Sequence, residues 1–150
     1  MKQLNLLTGR KPAHKPKPCC PTCGASMMEH RHRMSPGLAG ALVALARASG
    51  GGIIGLGGVV LTHSQWDNFQ KLRYWEVVNH HGSKKSGMWS VSELGRMFID
   101  RRSGLQPIAW TFRGEVVRRG GESTMIDEVL RDTPYWDSYQ DYCRGMEAHR

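Results

Sequence analysis

Apolar positions along the chain fall into short, separate clusters, and their spacing divides it into helical and extended pieces. In "SPGLAGALVALARAS", residues 35–49, Leu38, Leu42 and Leu45 recur at helical spacing. Ser35 suits the N-cap and Pro36 the first helical position, where a missing N–H costs nothing. The glycines at 50–52 end the helix. Residues 53–61 are short, apolar and glycine-rich, and predict a strand or a buried connector. A second helix is predicted from about Thr62 to Trp75, capped by Thr62 or Ser64. At about 100° per residue, Gln65, Trp66, Phe69, Leu72 and Glu76 share one side, and His63, Asp67, Gln70, Lys71 and Tyr74 share the other. The first side is expected to face the core and the second to be available to a partner.

Beyond Trp75 the pattern changes to short β-prone runs. Residues 76–78 and 88–91 flank a polar, glycine-containing loop and predict a hairpin whose tip is basic, with His80, His81, Lys84 and Lys85. "SELGRMFIDRR" predicts a third helix, capped by Ser92 or Ser90, with Leu94, Met97 and Phe98 inward. "PIAWTFRGEVVRR" predicts a second hairpin turning at Arg113-Gly114, and "STMIDEVLR" a last short helix. Trp66, Phe69, Trp75, Trp89, Trp110 and Phe112 read as core residues rather than as base-stacking platforms, because their positions in helices and strands suit a small core.

Charge adds a partner class to this outline. Lys and Arg outnumber Asp and Glu by 21 to 13, a formal charge of +8, which favours contact with polyanions such as nucleic acid or acidic protein surfaces. The excess is uneven: the first 35 residues hold Lys2, Arg10, Lys11, Lys15, Lys17, Arg31 and Arg33 against Glu29 alone. Residues 1–18, with Pro12, Pro16 and Pro18 and little to bury, read as a flexible basic arm. No apolar run reaches the roughly 18 residues needed to cross a bilayer, and the N-terminal apolar run is too short for a secretory signal. A cytoplasmic protein with no membrane partner is therefore expected.

The segment 19–34, "CCPTCGASMMEHRHRM", carries the candidate metal chemistry. In a reducing compartment a C-x-x-C pair reads as a metal or redox motif before a disulfide. Cys20 and Cys23, on a turn with Pro21 and Gly24, can direct two thiolates at one zinc ion, which ordinarily takes four N or S ligands in a structural site. His30 and His32 are the nearest further ligands, and one of the two is expected to bind. Cys19 is a third ligand or an unpaired neighbour, and His14, His80, His81 and Cys143 are reserves. The alternative is a reduced C-x-x-C turn beside a solvated basic segment.

The order helix, short connector, helix, basic-tipped hairpin, helix over residues 35–103 is that of a winged helix. The expected fold is thus α+β: a winged-helix core, an N-terminal zinc-knuckle-like segment at 19–34, and a hairpin and short-helix extension at 104–150. "KLRYWEVV" and "GMWSVSELGRMFI" resemble the core of MarR-type winged-helix regulators, with the middle helix reduced to "GGIIGLGGVVL". The C-P-T-C-G turn followed by "THSQWDNFQKLRYW" and Trp89 is similar to small bacteriophage proteins that join a cysteine knuckle to such a segment. The resemblance to the winged-helix regulators implies nucleic-acid binding. On that expectation His63, Gln70, Lys71, Tyr74, His80, His81, Lys84 and Lys85 would face double-stranded DNA, with structural zinc holding the arm. Asp67, Asp100, Asp127, Glu128 and Ser64 form no catalytic set with a histidine base, so a non-enzymatic protein is expected. The competing expectation is a phage interaction protein that binds and inhibits or redirects a host protein.

Overall fold

The computed structural model describes Pro21, residues 28–83 and residues 85–148. The basic arm, Cys20, Cys23 and Lys84 lie outside the described residues. Within them the fold is mixed α+β, with five α-helices and two three-stranded antiparallel sheets. In chain order the elements are β1 (His30–Arg33), α1 (Pro36–Ser49), β2 (Ile54–Gly55), α2 (His63–Asn68), a 3-10 segment (Phe69–Trp75), β3 (Val78–His81), β4 (Met88–Val91), α3 (Glu93–Ile99), β5 (Ile108–Phe112), β6 (Glu115–Gly120), α4 (Ile126–Leu130) and α5 (Trp136–Ala148).

Helix α1 forms as its sequence dictates. The Ser35 hydroxyl accepts the Leu38 N–H at 3.2 Å, and Gly50, at φ 56°, closes the helix by donating its N–H to the Ala46 carbonyl. Leu38, Ala39, Ala41, Leu42, Val43 and Leu45 are all buried, so the helix is enclosed on most of its surface rather than along one stripe. It packs against α2, the 3-10 segment, β4, α4 and α5. Small residues let a neighbour come close: at Gly40 a methyl group would run into the Tyr135 ring.

Where the sequence pattern suggests one helix from 62 to 75, the structure has two. The Thr62 hydroxyl accepts the Gln65 N–H at 3.1 Å while the Gln65 side-chain oxygen accepts the Thr62 N–H at 2.9 Å, a reciprocal cap that starts α2. At Asn68 the side-chain amide donates to the Ser64 carbonyl at 2.8 Å, and the chain tightens into a 3-10 helix. With three residues per turn, positions spaced by three share an edge. Phe69, Leu72 and Trp75 have this spacing, and all three are buried. Trp75 also donates its indole N–H to the Gln106 carbonyl at 2.9 Å, so its polar atom is satisfied inside the core.

Helical periodicity alone places Trp66 and Glu76 inward with these residues. Both are exposed. The inward position one turn before Phe69 belongs to Gln65, four residues earlier, which is buried and donates its side-chain N–H to the Gly37 carbonyl at 3.0 Å. Glu76 closes the 3-10 segment at φ 59°, so the strand begins later than expected, at Val78. His80 and His81 consequently stand in β3 rather than at the hairpin tip. The sheet order is β2-β4-β3, with Ile54 opposite Trp89 and Val78 opposite Val91. Between β2 and α2 the glycine-rich stretch makes one 3-10 turn, Leu56–Gly58.

Helix α3 is capped by Ser92, whose hydroxyl accepts the Gly95 N–H at 3.0 Å and donates to the Glu76 carbonyl at 2.6 Å. Its inward residues are Gly95, Phe98 and Ile99, whereas Leu94 and Met97 are half-buried. The helix can approach β3 this closely because Gly95 has no side chain; a methyl group there would meet the Val77 carbonyl. The second hairpin turns at Arg113 and Gly114, both at positive φ, and joins β1 in a sheet of order β1-β5-β6. Trp110 and Phe112 on β5 are half-buried rather than core. The chain's last helix is not the short α4 but α5, anchored by buried Tyr139, whose hydroxyl donates to the Ile99 carbonyl at 2.7 Å. No described helix is long and apolar enough to cross a membrane.

The shared edge of Phe69, Leu72 and Trp75 makes Phe69 the most direct probe of this core, since its ring also meets Trp89 edge-on at 5.1 Å. Phe69→Ala should lower unfolding stability by roughly 3–5 kcal/mol. Denaturant unfolding with an unchanged slope checks this, and a loss below about 1 kcal/mol would contradict the packing.

Candidate functional site

The 3-10 segment has three edges, and only one is committed to the core. Gln70 and Arg73 form the second edge and Lys71 and Tyr74 the third, each pair three residues apart. The predicted polar face is therefore divided in two.

The edge bearing Gln70 and Arg73 faces the β3–β4 hairpin across a groove of about 510 Å³. Trp66, Gln70, Arg73, His80 and Lys85 line it, with Leu56, Phe69 and Trp89 as its apolar part, and no carboxylate takes part. His80 packs on Trp89 with ring centroids 4.6 Å apart, and its Nε2 lies 3.3 Å from the Ser86 hydroxyl. His81 is tied to the strand by a 2.7 Å hydrogen bond between Nε2 and the Ser90 hydroxyl. Trp66 is 48% exposed, while Trp75 and Trp89 are buried and Trp110 and Trp136 half-buried. Such a groove can hold an anionic chain against its cations while an aromatic ring meets an apolar part of the ligand.

The edge bearing Lys71 and Tyr74 faces β1. The His32 ring lies 4.8 Å from the Tyr74 ring, and its Nε2 is hydrogen-bonded to the Thr111 hydroxyl at 3.0 Å. Burial is the main cause that holds the His32 pKa below its ordinary 6.5, with further lowering by the positive charges of Lys71 and His30. A second cavity, of about 290 Å³, opens between β1, the start of α1 and this edge.

The predicted DNA-facing residues thus do not share one face. Gln70, His80 and Lys85 come together at the groove, and Lys71 lies at the other cavity. Tyr74 is half-buried against β1, and its carbonyl accepts the Arg119 Nε–H at 2.7 Å. His63 sits in the first turn of α2, exposed, with Nε2 3.2 Å from an Asp67 carboxylate oxygen. Lys84 is outside the described residues. Arg73 and Trp66 are the groove residues that sequence reasoning missed. The three-residue spacing of Gln70 with Arg73, parallel to that of Phe69, Leu72 and Trp75, is the signal that points to Arg73.

For the metal, His30 and His32 lie two residues apart on β1 and so share one face of the strand, His30 exposed and His32 half-buried. Among the described residues no three His, Cys, Asp or Glu side chains converge on a common point. Cys20 and Cys23 lie outside them. Comparisons with protein-family models, with curated proteins and with solved structures found no match to this chain.

The depressed His32 pKa links stability to pH. Because the unfolded chain takes up this proton before the folded one, the stability His32 contributes is present above pH 6.5 and lost as pH falls through its lowered folded value. The His32 ring should titrate below 6.5 by NMR, and His32→Gln should reduce the loss of stability between about pH 7 and pH 5. A His32 titration at or above the ordinary value would contradict this.

Proposed function

We propose that this chain is a non-enzymatic winged-helix protein that binds duplex DNA through the groove between the 3-10 segment and the β3–β4 hairpin. The observation that carries this reading is the lining of that groove, in which Arg73, Lys85, His80 and Gln70 meet with no carboxylate among them. The chain order supports it too: α1, a short strand, a reduced middle turn, α2 with its 3-10 continuation, and a hairpin whose second strand lies between β2 and β3. In a winged helix the helix before the hairpin meets the groove and the hairpin tip meets phosphate. On this reading Arg73, Lys84 and Lys85 contact phosphates, Gln70 meets base edges, and Lys71 adds a phosphate contact on the opposite flank. The formal charge of +8 favours such a partner.

A structural zinc belongs to the same proposal. Cys20 and Cys23 would supply two thiolates, and of the two histidines His30 is the better placed, since His32 already spends Nε2 on Thr111. The ion would anchor the basic arm to β1, in a segment with few apolar residues to order it. Purified protein should carry stoichiometric zinc that Cys20→Ser and Cys23→Ser abolish, by metal analysis. Metal-free wild-type protein with unchanged thermal unfolding would remove zinc from the account.

A second reading is favoured by a different observation. Ile53, Val60 and Met88 are 55%, 93% and 37% exposed and, with Trp66, leave apolar surface on and around the reduced middle segment. Such surface suits a protein partner, as for a phage factor that inhibits or redirects a host protein. Binding of random-sequence duplex DNA at two or more salt concentrations separates the two. Each phosphate contact removed should lower the slope of log affinity against log salt by about 0.9, so Arg73→Ala with Lys85→Ala should lower it by roughly twice that. No measurable binding at low salt would give the protein-partner reading the lead.

A further inference from the structure

The cavity on the other side of the 3-10 segment has a composition of its own. Arg31, Arg33 and Lys71 line its walls, together with Ser64, Asn68 and the start of α1, and no Asp or Glu does. None of these three cations belongs to an ion pair among the described residues. Elsewhere Arg102, Arg118, Arg119, Arg131 and Arg144 each lie within 4 Å of a carboxylate. Positive charge at one cavity without an internal counter-ion is a cost to the fold that an anion from outside would remove.

The frame of the cavity is firmly built. Buried Gln65 joins the two helix starts, donating to the Gly37 carbonyl while its oxygen accepts the Thr62 N–H. Asn68 ties down the Ser64 carbonyl. The far wall is β1, held in register with β5 by four residue pairs from His30 with Thr111 to Arg33 with Ile108. The N-terminal end of the 14-residue α1 adds the positive end of its dipole to the same space; the Leu38 N–H is already spent on Ser35, so this end contributes field rather than a bond there. At about 290 Å³ the cavity is at the small end of ligand pockets, which suits one compact anionic group better than an extended molecule. Arginine's planar fork and lysine's point charge are the side chains that recognise phosphate.

We propose that this cavity binds a phosphate group, held by Arg31, Arg33 and Lys71. The source is either a backbone phosphate of bound nucleic acid or a free phosphate monoester. The proposal rests on the DNA-binding reading only for the first of these sources.

The test titrates inorganic phosphate into the full-length protein at constant ionic strength, followed by NMR at the backbone amides of residues 31–35, 37 and 38 and at the His32 ring. Saturable shifts confined to these residues are expected. Arg33→Ala or Lys71→Ala should weaken the binding on the order of tenfold or more, and Lys71→Arg should retain it with thermal unfolding unchanged. Shifts that do not saturate, that spread equally over Arg73 and Lys85, or that survive the Arg33→Ala, Lys71→Ala pair in a folded protein would overturn the site. A second arm adds random-sequence duplex DNA. If phosphate competes with DNA and Arg33→Ala lowers the salt slope, the phosphate is the nucleic-acid backbone. If DNA fails to bind while phosphate still saturates, the DNA reading falls and the cavity stands as a site for a free phosphate monoester.

Discussion

The spacing of Phe69, Leu72 and Trp75 constrains the rest of the structure. Three large apolar side chains at intervals of three can be buried together on a straight edge only if the backbone turns once every three residues. Their burial against α1 and Trp89 outweighs the poorer hydrogen-bond geometry of a 3-10 helix, because burying a large apolar side chain is worth about 1.5–3 kcal/mol and all three are almost fully removed from water. Once the segment adopts that pitch, the positions of its polar residues follow. Gln70 and Arg73 are turned to the hairpin and Lys71 and Tyr74 to β1, so the packing of the core decides the placement of both candidate surfaces.

Much of the fold was legible in the sequence, and for identifiable reasons. Ser35-Pro36 and the glycines after Ser49 bound α1, and Thr62 and Ser92 cap α2 and α3, because these signals act through a few neighbouring atoms. The turn at Arg113-Gly114 was legible for the same reason. What was lost depends on longer-range competition. The inward place of Gln65 in preference to Trp66 arises where an α-helical turn gives way to a 3-10 turn at Asn68, which a uniform 100° wheel does not contain. Strand β1 draws its stability from β5, nearly 80 residues later, and its own sequence, His-Arg-His-Arg, has no apolar alternation to announce it. Helix α5 is strongly polar and is anchored chiefly by Tyr139.

The candidate surfaces were legible in part. Gln70, Lys71 and Lys85 are where a partner can reach them, but on two sides of one segment rather than on one face. His80 and His81 are held by Trp89, Ser86 and Ser90 within the sheet, where they shape the groove more than they extend from it. The residues that complete the two cavities, Arg73 on one side and Arg31 and Arg33 on the other, become visible only when the pitch of the segment and the pairing of β1 are known. A segment bordered by two cavities lined with cations and no carboxylate is the form in which charge rather than sequence would first attract a polyanion.

The central claim is that both outward edges of the 3-10 segment meet the same polyanionic partner. Amide NMR of the full-length protein during addition of random-sequence duplex DNA at low salt tests it most directly. The account predicts perturbations concentrated at residues 31–33, 66–73 and 85 and reversed by added salt. Perturbations confined to the exposed apolar residues Ile53, Val60 and Met88, or no perturbation at any of these positions, would contradict it.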